Sequence, residues 1–562
     1  MPHVITQPCC NDASCVPVCP VGAIHPHPGE PGFKTTEMLY IDPATCVDCG
    51  VCVSACPVGA ILPDNQLSGT DERYRDFNSS YYQQNPIRQN LDPVAIAPPH
   101  APVGKGTLRV AIVGSGPAGS YAAAELLEYP NVEVAMFDRL PTPWGLVRAG
   151  VAPDHPGTKA VIQSFERTAA NGRFRFYLNV EIGTHISHDE LLEHHHAVIY
   201  AYGAAGDRQL GIPGEDLPGS VAASEFVKWY NGHPDYAERT FDFSGTRAVV
   251  IGNGNVALDI ARILVTDADT LAATDMADHA VNALRNSNIT EVVVVGRRGP
   301  AQAGYTTPEL LALGDLPQID TLADRAETEL DDVSRSQLDD PGTPTSVRHK
   351  TQIAAEYARR EATPGHRRIV LRYLASPVEI LGEDRVTALR LVRNRLERKD
   401  SGEIAARATT FEELVETGLV IRSVGFRGRP ITGVPFDSGQ STVPNIDGRV
   451  VNAPGVYTTG WIKRGPSGVI GTNKKCAQDT VATLVEDGRA GRLHEPTGSA
   501  AEMSDLIAQR QPARVDASGW RTIDSRERER GHKQGKQRSK ITRTDDLLAA
   551  ATDCIPLDVD ED

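Results

Sequence analysis

The stretch Arg109–Glu125, RVAIVGSGPAGSYAAAE, continued by Val132–Arg139, VEVAMFDR, decides how this chain is read. A nearly continuous apolar run, Val110 to Val113, enters a loop with Gly114, Gly116 and Gly119, and an Ala-rich helical pattern follows. That order predicts the first strand, turn and helix of a dinucleotide-binding unit. Gly114 permits the tight turn, Gly116 the approach of backbone to a pyrophosphate, and Gly119 the close packing of helix on strand. The helix N-terminus then offers unpaired N–H groups to the phosphates. Asp138, at the end of the next apolar strand, is placed to accept bonds from a ribose hydroxyl.

At 562 residues the chain is long enough for about three or four domains, each able to bury a core. No apolar run reaches the roughly 18 residues of a membrane span. The start, MPHVITQPCC, lacks the basic and apolar regions of a signal peptide, so a cytoplasmic protein is expected. A net charge of −16 argues against broad nucleic-acid binding.

Eight of the ten cysteines lie in the first 56 residues. With no export signal, metal ligation is the better reading than disulfides. Cys46, Cys49, Cys52 and Cys56, followed by Pro57, form C-x2-C-x2-C-x3-C-P, the bacterial ferredoxin run in which the last thiolate crosses to a second cluster. A zinc site would instead want two CxxC pairs separated by about 15–20 residues. CPVGAI occurs twice, and aligning the copies sets Cys9 on Cys46, Asp12 on Cys49, Cys15 on Cys52 and Cys19 on Cys56. Cluster one is thus assigned to Cys9, Cys15 and the crossing Cys56, and cluster two to Cys46, Cys49, Cys52 and the crossing Cys19. Three thiolates suit a 3Fe-4S cluster, with an Asp12-assisted 4Fe-4S as the alternative; Cys10 competes with Cys9 as ligand. Residues 63–107, polar and rich in Tyr and Pro, read as a partly extended tether.

A second unit, RAVVIGNGNVALDIARILV, repeats the dinucleotide pattern with Gly252, Asn253, Gly254, Asn255 and Val256 in its loop. Its next strand, EVVVVGRRG, ends in Arg297 and Arg298 where an NAD site carries an acid, and paired guanidiniums suit a 2′-phosphate, selecting NADP. The tract His194, His195, His196 reads as the end of a helix, not a metal site. The charged segment from about Asp320 to Ala362 reads as helical, and HRRIVLRYLASPVEILG with RVTALRLVRNRLE reads as an antiparallel strand pair. A helix starting near Gly468 would aim its positive end at a reduced flavin. Lys463, Arg464, Lys474 and Lys475 form a basic set beside it, and the chain beyond residue 490 reads as a solvated polar tail carrying a lone Cys554.

PTPWGLVRAGVAPDHP (141–156), GNGNVALD (252–259), VVGRRGP (294–300) and GWIKRGPSGVIGTNKK (460–475) resemble the adrenodoxin reductase family of NADPH-dependent ferredoxin reductases over about residues 108–490. The resemblance implies that Leu146, Val180, Trp461, Gly468, Val469 and Ile470 contact FAD and that Arg208, Glu309 and Gly468 face NADP. It also places His155 near the flavin; on the residues alone, a His in a Pro-rich loop serves equally as a loop hydrogen-bonder or a catalyst. The expected architecture is multidomain. An α+β ferredoxin-like two-cluster domain (1–62) and a linker (63–107) precede an α/β flavoprotein with two Rossmann-like dinucleotide-binding domains. The flavoprotein divides into FAD (108–210), NADP (211–425), FAD return (426–490) and tail (491–562).

Electrons are then expected to pass from NADPH through FAD to the clusters and out to a one-electron acceptor such as a ferredoxin, a cytochrome P450 or a biosynthetic reductase. The alternatives are an electron-feeding subunit of a larger reductase, as in glutamate synthase, and a redox-sensing binding protein. A pyridine nucleotide disulfide reductase is disfavoured, because the flavin half has no CxxC pair.

Overall fold

Strands buried on both faces demand unbroken apolar runs, and the runs flanking the two glycine loops supply them. In a computed structural model that describes residues 2–87 and 100–552, Val110, Ala111 and Ile112 have no exposed surface. They lie in β5 (Leu108–Val113), after the ferredoxin strands β1 (His3–Ile5), β2 (Ile24–His25), β3 (Tyr40–Ile41) and β4 (Ile61–Pro63). β5 sits between β8 (Ala197–Tyr200) and β6 (Val132–Asp138), and β7 (Phe174–Leu178) and Val456–Thr458 extend the parallel sheet on either side. A second, all-parallel sheet of six strands is built around Arg247–Ile251 and Glu291–Val295. A short antiparallel ribbon, Gly206–Asp207 against Phe426–Arg427, carries the chain both ways between the two sheets.

Both glycine loops need glycine for the same reason. Gly114 and Gly252 have φ of 106° and 115°, and a Cβ at either would strike the carbonyl of the neighbouring strand end, Ala201 or Ser423.

In the ferredoxin unit, β1 pairs antiparallel with β4 and β2 with β3, and α1 (Val51–Ala55) follows the loop of Cys46 and Cys49. The tether expected over residues 63–107 is corrected by α2 (Arg73–Gln84). Tyr74, Phe77, Asn78, Tyr81 and Tyr82 recur at helical spacing, and all but Tyr81 are buried. The Asn78 side chain accepts from the N–H of Ile5 and of Ile41 and donates to the Ile5 carbonyl, and Tyr82 Oη donates to Ala23 and Tyr40 carbonyls. The opposite face meets the helix Thr345–Tyr357, where Arg73 pairs with Glu356 at 2.8 Å and Phe77 stacks on His349. The connector prolines Pro93, Pro98 and Pro99 lie outside the described residues.

Two further expectations change. Arg367–Arg372 joins the parallel sheet; only Ala375–Leu381 and Ala388–Arg398 pair antiparallel, with Ile404–Glu416 as a third strand. The segment read as helical from Asp320 also contains the strand Ile319–Ala323. The three histidines do end a helix, His188–His194, and their rings bond separate backbone groups: Glu190 O, Leu191 O and Arg109 N.

The solvated tail is likewise replaced by three helices, Ala500–Arg510, Ala517–Lys533 and Thr544–Thr552. Val515 bridges to the edge of β7 through Leu178. Glu527, fully buried, takes both Nη atoms of Arg148 at 2.9 and 2.6 Å and also pairs with Arg538. Buried Lys540 reaches Asp275, which also holds Lys159, so the tail clasps both dinucleotide halves. The charges that suggested solvation are therefore neutralised internally. Cys554 lies outside the described residues.

Burial alone would raise the Glu527 carboxyl, but Arg148 and Arg538 outweigh it and hold it below its ordinary 4.5. That stability is complete above about pH 4.5 and is lost as pH falls through the depressed folded value. Glu527→Ala strands two guanidiniums and should cost about 3–5 kcal/mol. Urea midpoints will show this as a drop for the flavoprotein transition, with the wild-type advantage shrinking in acid; equal midpoints at pH 7 would refute the clasp.

Candidate functional site

The first glycine loop delivers α3 (Pro117–Leu127) with Gly116 as its N-cap. Asp138, at the end of β6, accepts the N–H and Oγ–H of buried Ser115 at 2.9 and 2.6 Å and the Leu140 N–H at 3.0 Å. The acid thus orders the loop itself, beyond the ribose contact expected of it. Gly145 packs against Gly116 so closely that a Cβ there would lie 2.9 Å from the Gly116 Cα. Leu146 follows in the helix Gly145–Ala149, and buried Val180 bonds its N–H to the Asp138 carbonyl at 2.8 Å. Trp144 leaves its indole N–H buried without a partner beside this cradle.

Across from it, the returning chain forms Trp461–Arg464, the left-handed turn at Gly468 and the helix Ile470–Arg489, which packs along α3. Trp461 stacks on Phe426 at 5.5 Å. The expected basic set does not act together. Arg464 turns inward to Asn473, Lys463 to Thr480 and Lys475 to Asp479, and Lys474 alone of the four reaches the ferredoxin unit.

In the second half, the helix Asn255–Val265 starts after the Gly252 and Gly254 turn. Asn255 holds the Thr306 N–H at 2.8 Å and Asn253 the Gly304 N–H at 3.4 Å, so both side chains fasten the loop before the helix Thr307–Ala312, while Val256 packs on the core. Arg297 is exposed and Arg298 half-buried beyond the strand Glu291–Val295, and neither guanidinium has an ion pair among the described residues. Burial and then Arg297 hold Arg298 below the usual arginine value. Arg208, exposed, follows the crossing ribbon with its N–H on Gly425.

His155 and Glu309, far apart in sequence, come within 4.0 Å. Between the halves, buried Arg262 grips Asp154 at 2.7 Å and Asp259 at 2.7 Å and lies 4.0 Å from Glu309. Burial and then the Asp259 charge raise the Glu309 carboxyl above its ordinary value. Glu309 Oε2 and Arg262 Nη1 are buried without hydrogen-bond partners, an arrangement open to a polar ligand. Asp154, Asp259 and Arg262 were not singled out from sequence, although Asp259 and Arg262 stand i,i+3 on one helix face within the quoted glycine motif.

Cys19, Cys46, Cys49 and Cys52 line one cavity of the ferredoxin unit. Burial pushes Cys52 up to about 11, with the Cys19, Cys46 and Cys49 charges adding to it. Burial likewise pushes Cys9 up to about 12, with Cys56 and Asp12 adding, and Cys15 above its usual range with Cys9 and Cys56 beside it. Thiols so grouped stay protonated until a metal ion displaces the proton. Each cysteine that precedes a proline in the repeats accepts an N–H four residues on: Cys19 from Ala23 at 3.2 Å, Cys56 from Ala60 at 3.3 Å. Such N–H···S bonds tune cluster potentials. The donor set therefore fits two iron–sulfur clusters.

The first repeat docks on the flavoprotein. The Gly471 N–H, in the first turn of the helix Ile470–Arg489, donates to the Cys10 carbonyl at 2.7 Å, and a Cβ on Gly471 would collide with the backbone of Asn11 and Asp12. Lys474 meets Asp12 at 3.3 Å and Ser14 at 2.9 Å. Glu37 accepts the Thr307 N–H at 2.8 Å, at the start of the helix carrying Glu309. Pro8 and Val58 lie against Gly157, next to the His155 loop.

Comparison with known proteins accords with this geometry. The family described as 4Fe-4S dicluster domain matches residues 9–60, and Pyridine nucleotide-disulphide oxidoreductase matches residues 108–298. A Probable ferredoxin/ferredoxin--NADP reductase of Mycobacterium bovis is 48% identical, covering 98% of this chain and 95% of its own. The chain belongs to the ferredoxin/ferredoxin–NADP reductase family. This reductase is also 50% identical to NADPH-ferredoxin reductase FprA of Mycobacterium leprae, over 78% of the present chain and 97% of FprA. The structure of Mycobacterium tuberculosis FprA in complex with NADPH superposes with a TM-score of 0.76 at 48% identity, covering 80% of this chain and all of that one. The reductase is an FAD- and NADP-dependent flavoprotein carrying its own iron–sulfur ferredoxin domain. Residues 108–298 contain no cysteine, so disulfide chemistry has no seat in the matched region. No helix among the described residues is long and apolar enough to cross a membrane.

Gly471→Ala strains the dock while remaining compatible with its own helix. Its NADPH-driven reduction of the clusters should slow about 100-fold, the scale expected of an ångström-sized displacement, while ferricyanide, which takes electrons from flavin, is still reduced. Stopped-flow absorbance separates the two rates; unaltered cluster reduction would mean the dock does not couple the modules.

Proposed function

We propose that this reductase moves electrons from NADPH to FAD, then to cluster one, then to cluster two, and finally to an external one-electron acceptor protein. The observation that carries this order is the hydrogen bond from Gly471, at the flavin-side helix start, to Cys10, between the ligands of cluster one. When bound, FAD takes a hydride from NADPH as an electron pair and releases electrons singly, as iron–sulfur clusters require.

The protein's own part is binding and orientation. Gly114, Ser115, Gly116, Pro117, Ala118 and Gly119 offer backbone to the FAD pyrophosphate, with Asp138 on the ribose and Leu146, Val180, Trp461, Gly468, Val469 and Ile470 around the rest. Gly252, Asn253, Gly254, Asn255 and Val256 receive the second dinucleotide, Arg297 and Arg298 its 2′-phosphate, and Arg208, Glu309 and Gly468 the remainder of NADP. Asp154, Asp259 and Arg262 fix Glu309 and His155 at the seam between the halves, which supports a positioning role there. No acid–base triad is required, because alignment of the two rings supplies most of the acceleration.

Cluster one is assigned to Cys9, Cys15 and Cys56, and cluster two to Cys19, Cys46, Cys49 and Cys52. Cys9 Sγ accepts the Leu39 N–H at 3.5 Å, as Cys19 and Cys56 accept backbone N–H groups, which supports Cys9 over Cys10. Asp12 is already held by Ser14 and Lys474, which favours 3Fe-4S over an Asp12-ligated 4Fe-4S in cluster one. Candidate acceptors remain a separate ferredoxin, a cytochrome P450 or a biosynthetic reductase.

The deciding experiment is an anaerobic titration with NADPH, following flavin optically and the clusters by low-temperature EPR. Bleaching of flavin together with cluster reduction, and an oxidised 3Fe-4S signal that survives Cys10→Ser and vanishes in Cys9→Ser, is the expected result. Flavin reduction with both clusters left oxidised would overturn the relay.

Each guanidinium on a phosphate is worth about 1.5–3 kcal/mol as a charged hydrogen bond. Arg297→Ala and Arg298→Ala should therefore each raise KM for NADPH about 10- to 100-fold and leave the rate with NADH nearly unchanged. Steady-state kinetics with both nucleotides would expose a wrong assignment as a parallel loss.

A further inference from the structure

Beyond the flavin-side helix, the ferredoxin unit also reaches into the NADP half, and it does so with one carboxylate. Glu37 follows Thr36, whose carbonyl accepts from the Asn11 side chain at 3.0 Å, and stands two residues before Leu39, whose N–H lies on Cys9 Sγ. Its own side chain crosses the boundary: Oε2 accepts the Thr307 N–H at 2.8 Å, and Oε1 lies 3.5 Å from Lys350 Nζ. The Glu37 side chain is 13% exposed and Lys350 is buried, so this pair is shielded from solvent and held by its partners.

Both partners act on the segment that leads to Glu309. Lys350 Nζ donates to the carbonyls of Ala303 at 3.0 Å and Tyr305 at 3.5 Å. From the other side, Asn253 and Asn255 of the second glycine loop hold the N–H groups of Gly304 and Thr306. Residues 303–307 are thus gripped between the loop that receives a dinucleotide and a charge pair half supplied by the ferredoxin unit. Thr307 opens the helix that carries Glu309, and that helix lacks a cap of its own: Thr306 makes no side-chain capping bond, and Pro308 has no N–H. Glu37 supplies the acceptor and sets a negative charge at the positive end of the helix. Two residues on, Glu309 Oε2 is buried without a hydrogen-bond partner, so its aim rests on how this first turn is held. The helix that carries Lys350 is gripped by the same unit a second time, through Arg73 of α2 on Glu356.

Resting on the assignment of Glu309 to NADP given above, we propose that Glu37 is a positioning residue of the NADP site. Through this carboxylate the ferredoxin unit sets the segment 303–307 and the aim of Glu309, so that nucleotide binding and docking of the ferredoxin unit reinforce each other. The coupling is reciprocal: whatever affinity for nucleotide the docked unit adds, bound nucleotide adds to the dock.

The test uses the full-length holoenzyme, with NADP+ binding read from the flavin absorbance. Glu37→Ala should weaken NADP+ binding about tenfold, within the range of such couplings. It should raise KM for NADPH by a similar factor with ferricyanide as acceptor, while kcat changes little. Glu37→Gln, which keeps an acceptor for the Thr307 N–H, should recover most of the loss. In the unaltered enzyme NADP+ should slow hydrogen exchange in residues 36–39 of the ferredoxin unit, an effect that Glu37→Ala abolishes. Glu309→Gln separates the two readings. If it weakens NADP+ binding and Glu37→Ala does not, Glu37 serves the dock alone and the proposal falls. If Glu309→Gln leaves NADP+ binding unchanged, the assignment of Glu309 to the nucleotide has failed. Should Glu37→Ala lose its clusters, exchange in the unaltered enzyme decides, and residues 36–39 unprotected by NADP+ overturn the coupling.

Discussion

One backbone hydrogen bond, Gly471 N–H to the Cys10 carbonyl, joins two redox machines that are otherwise complete in themselves. It requires a residue with no side chain, because the Asn11–Asp12 backbone fills the space a Cβ would need. Around it, Lys474 with Asp12 and Glu37 with the Thr307 N–H tie the ferredoxin unit to both the flavin-side helix and the helix of Glu309. Proximity that a flexible tether would supply only on average is here built into the packing, with α2 bracing the unit from the other side.

The seam between the dinucleotide halves follows a similar logic on a larger scale. Hydride transfer requires two rings in fixed register, yet the halves meet through a two-stranded ribbon and a seam of charges. The C-terminal helices complete the closure: Glu527 on Arg148 from one side, and Lys540 with Lys159 on Asp275 from the other. Buried pairs of this kind contribute little net attraction but are costly to break singly, which suits a clasp that must hold one arrangement.

Legibility differed sharply between segments. The glycine loops and the cysteine spacing were readable because their chemistry is local: a turn, a helix start and four thiols a few residues apart need little from the rest of the chain. α2 escaped notice because its buried stripe is written in tyrosines and an asparagine, whose polar atoms find partners only once β1 and β3 are beside them. The C-terminal helices escaped because RERERGHKQGKQRSK looks solvated until Arg148, Asp275 and Asp278 arrive from elsewhere. Asp259 and Arg262 passed as an ordinary helix face for the same reason.

The amino-acid sequence by itself determined which cofactors this protein takes, since backbone turns, an acid-to-arginine exchange and thiol spacing act over a few residues. It could not determine which of the two cysteine repeats packs against the helix Ile470–Arg489. CPVGAI occurs twice, and although Asp12 in the first copy stands where the second has Cys49, nothing local to either copy tells which one is covered. Only the tertiary structure breaks that symmetry, because burying Cys10 and Asn11 needs a helix start contributed from more than 450 residues further along, and that helix fits one copy and leaves the other to solvent.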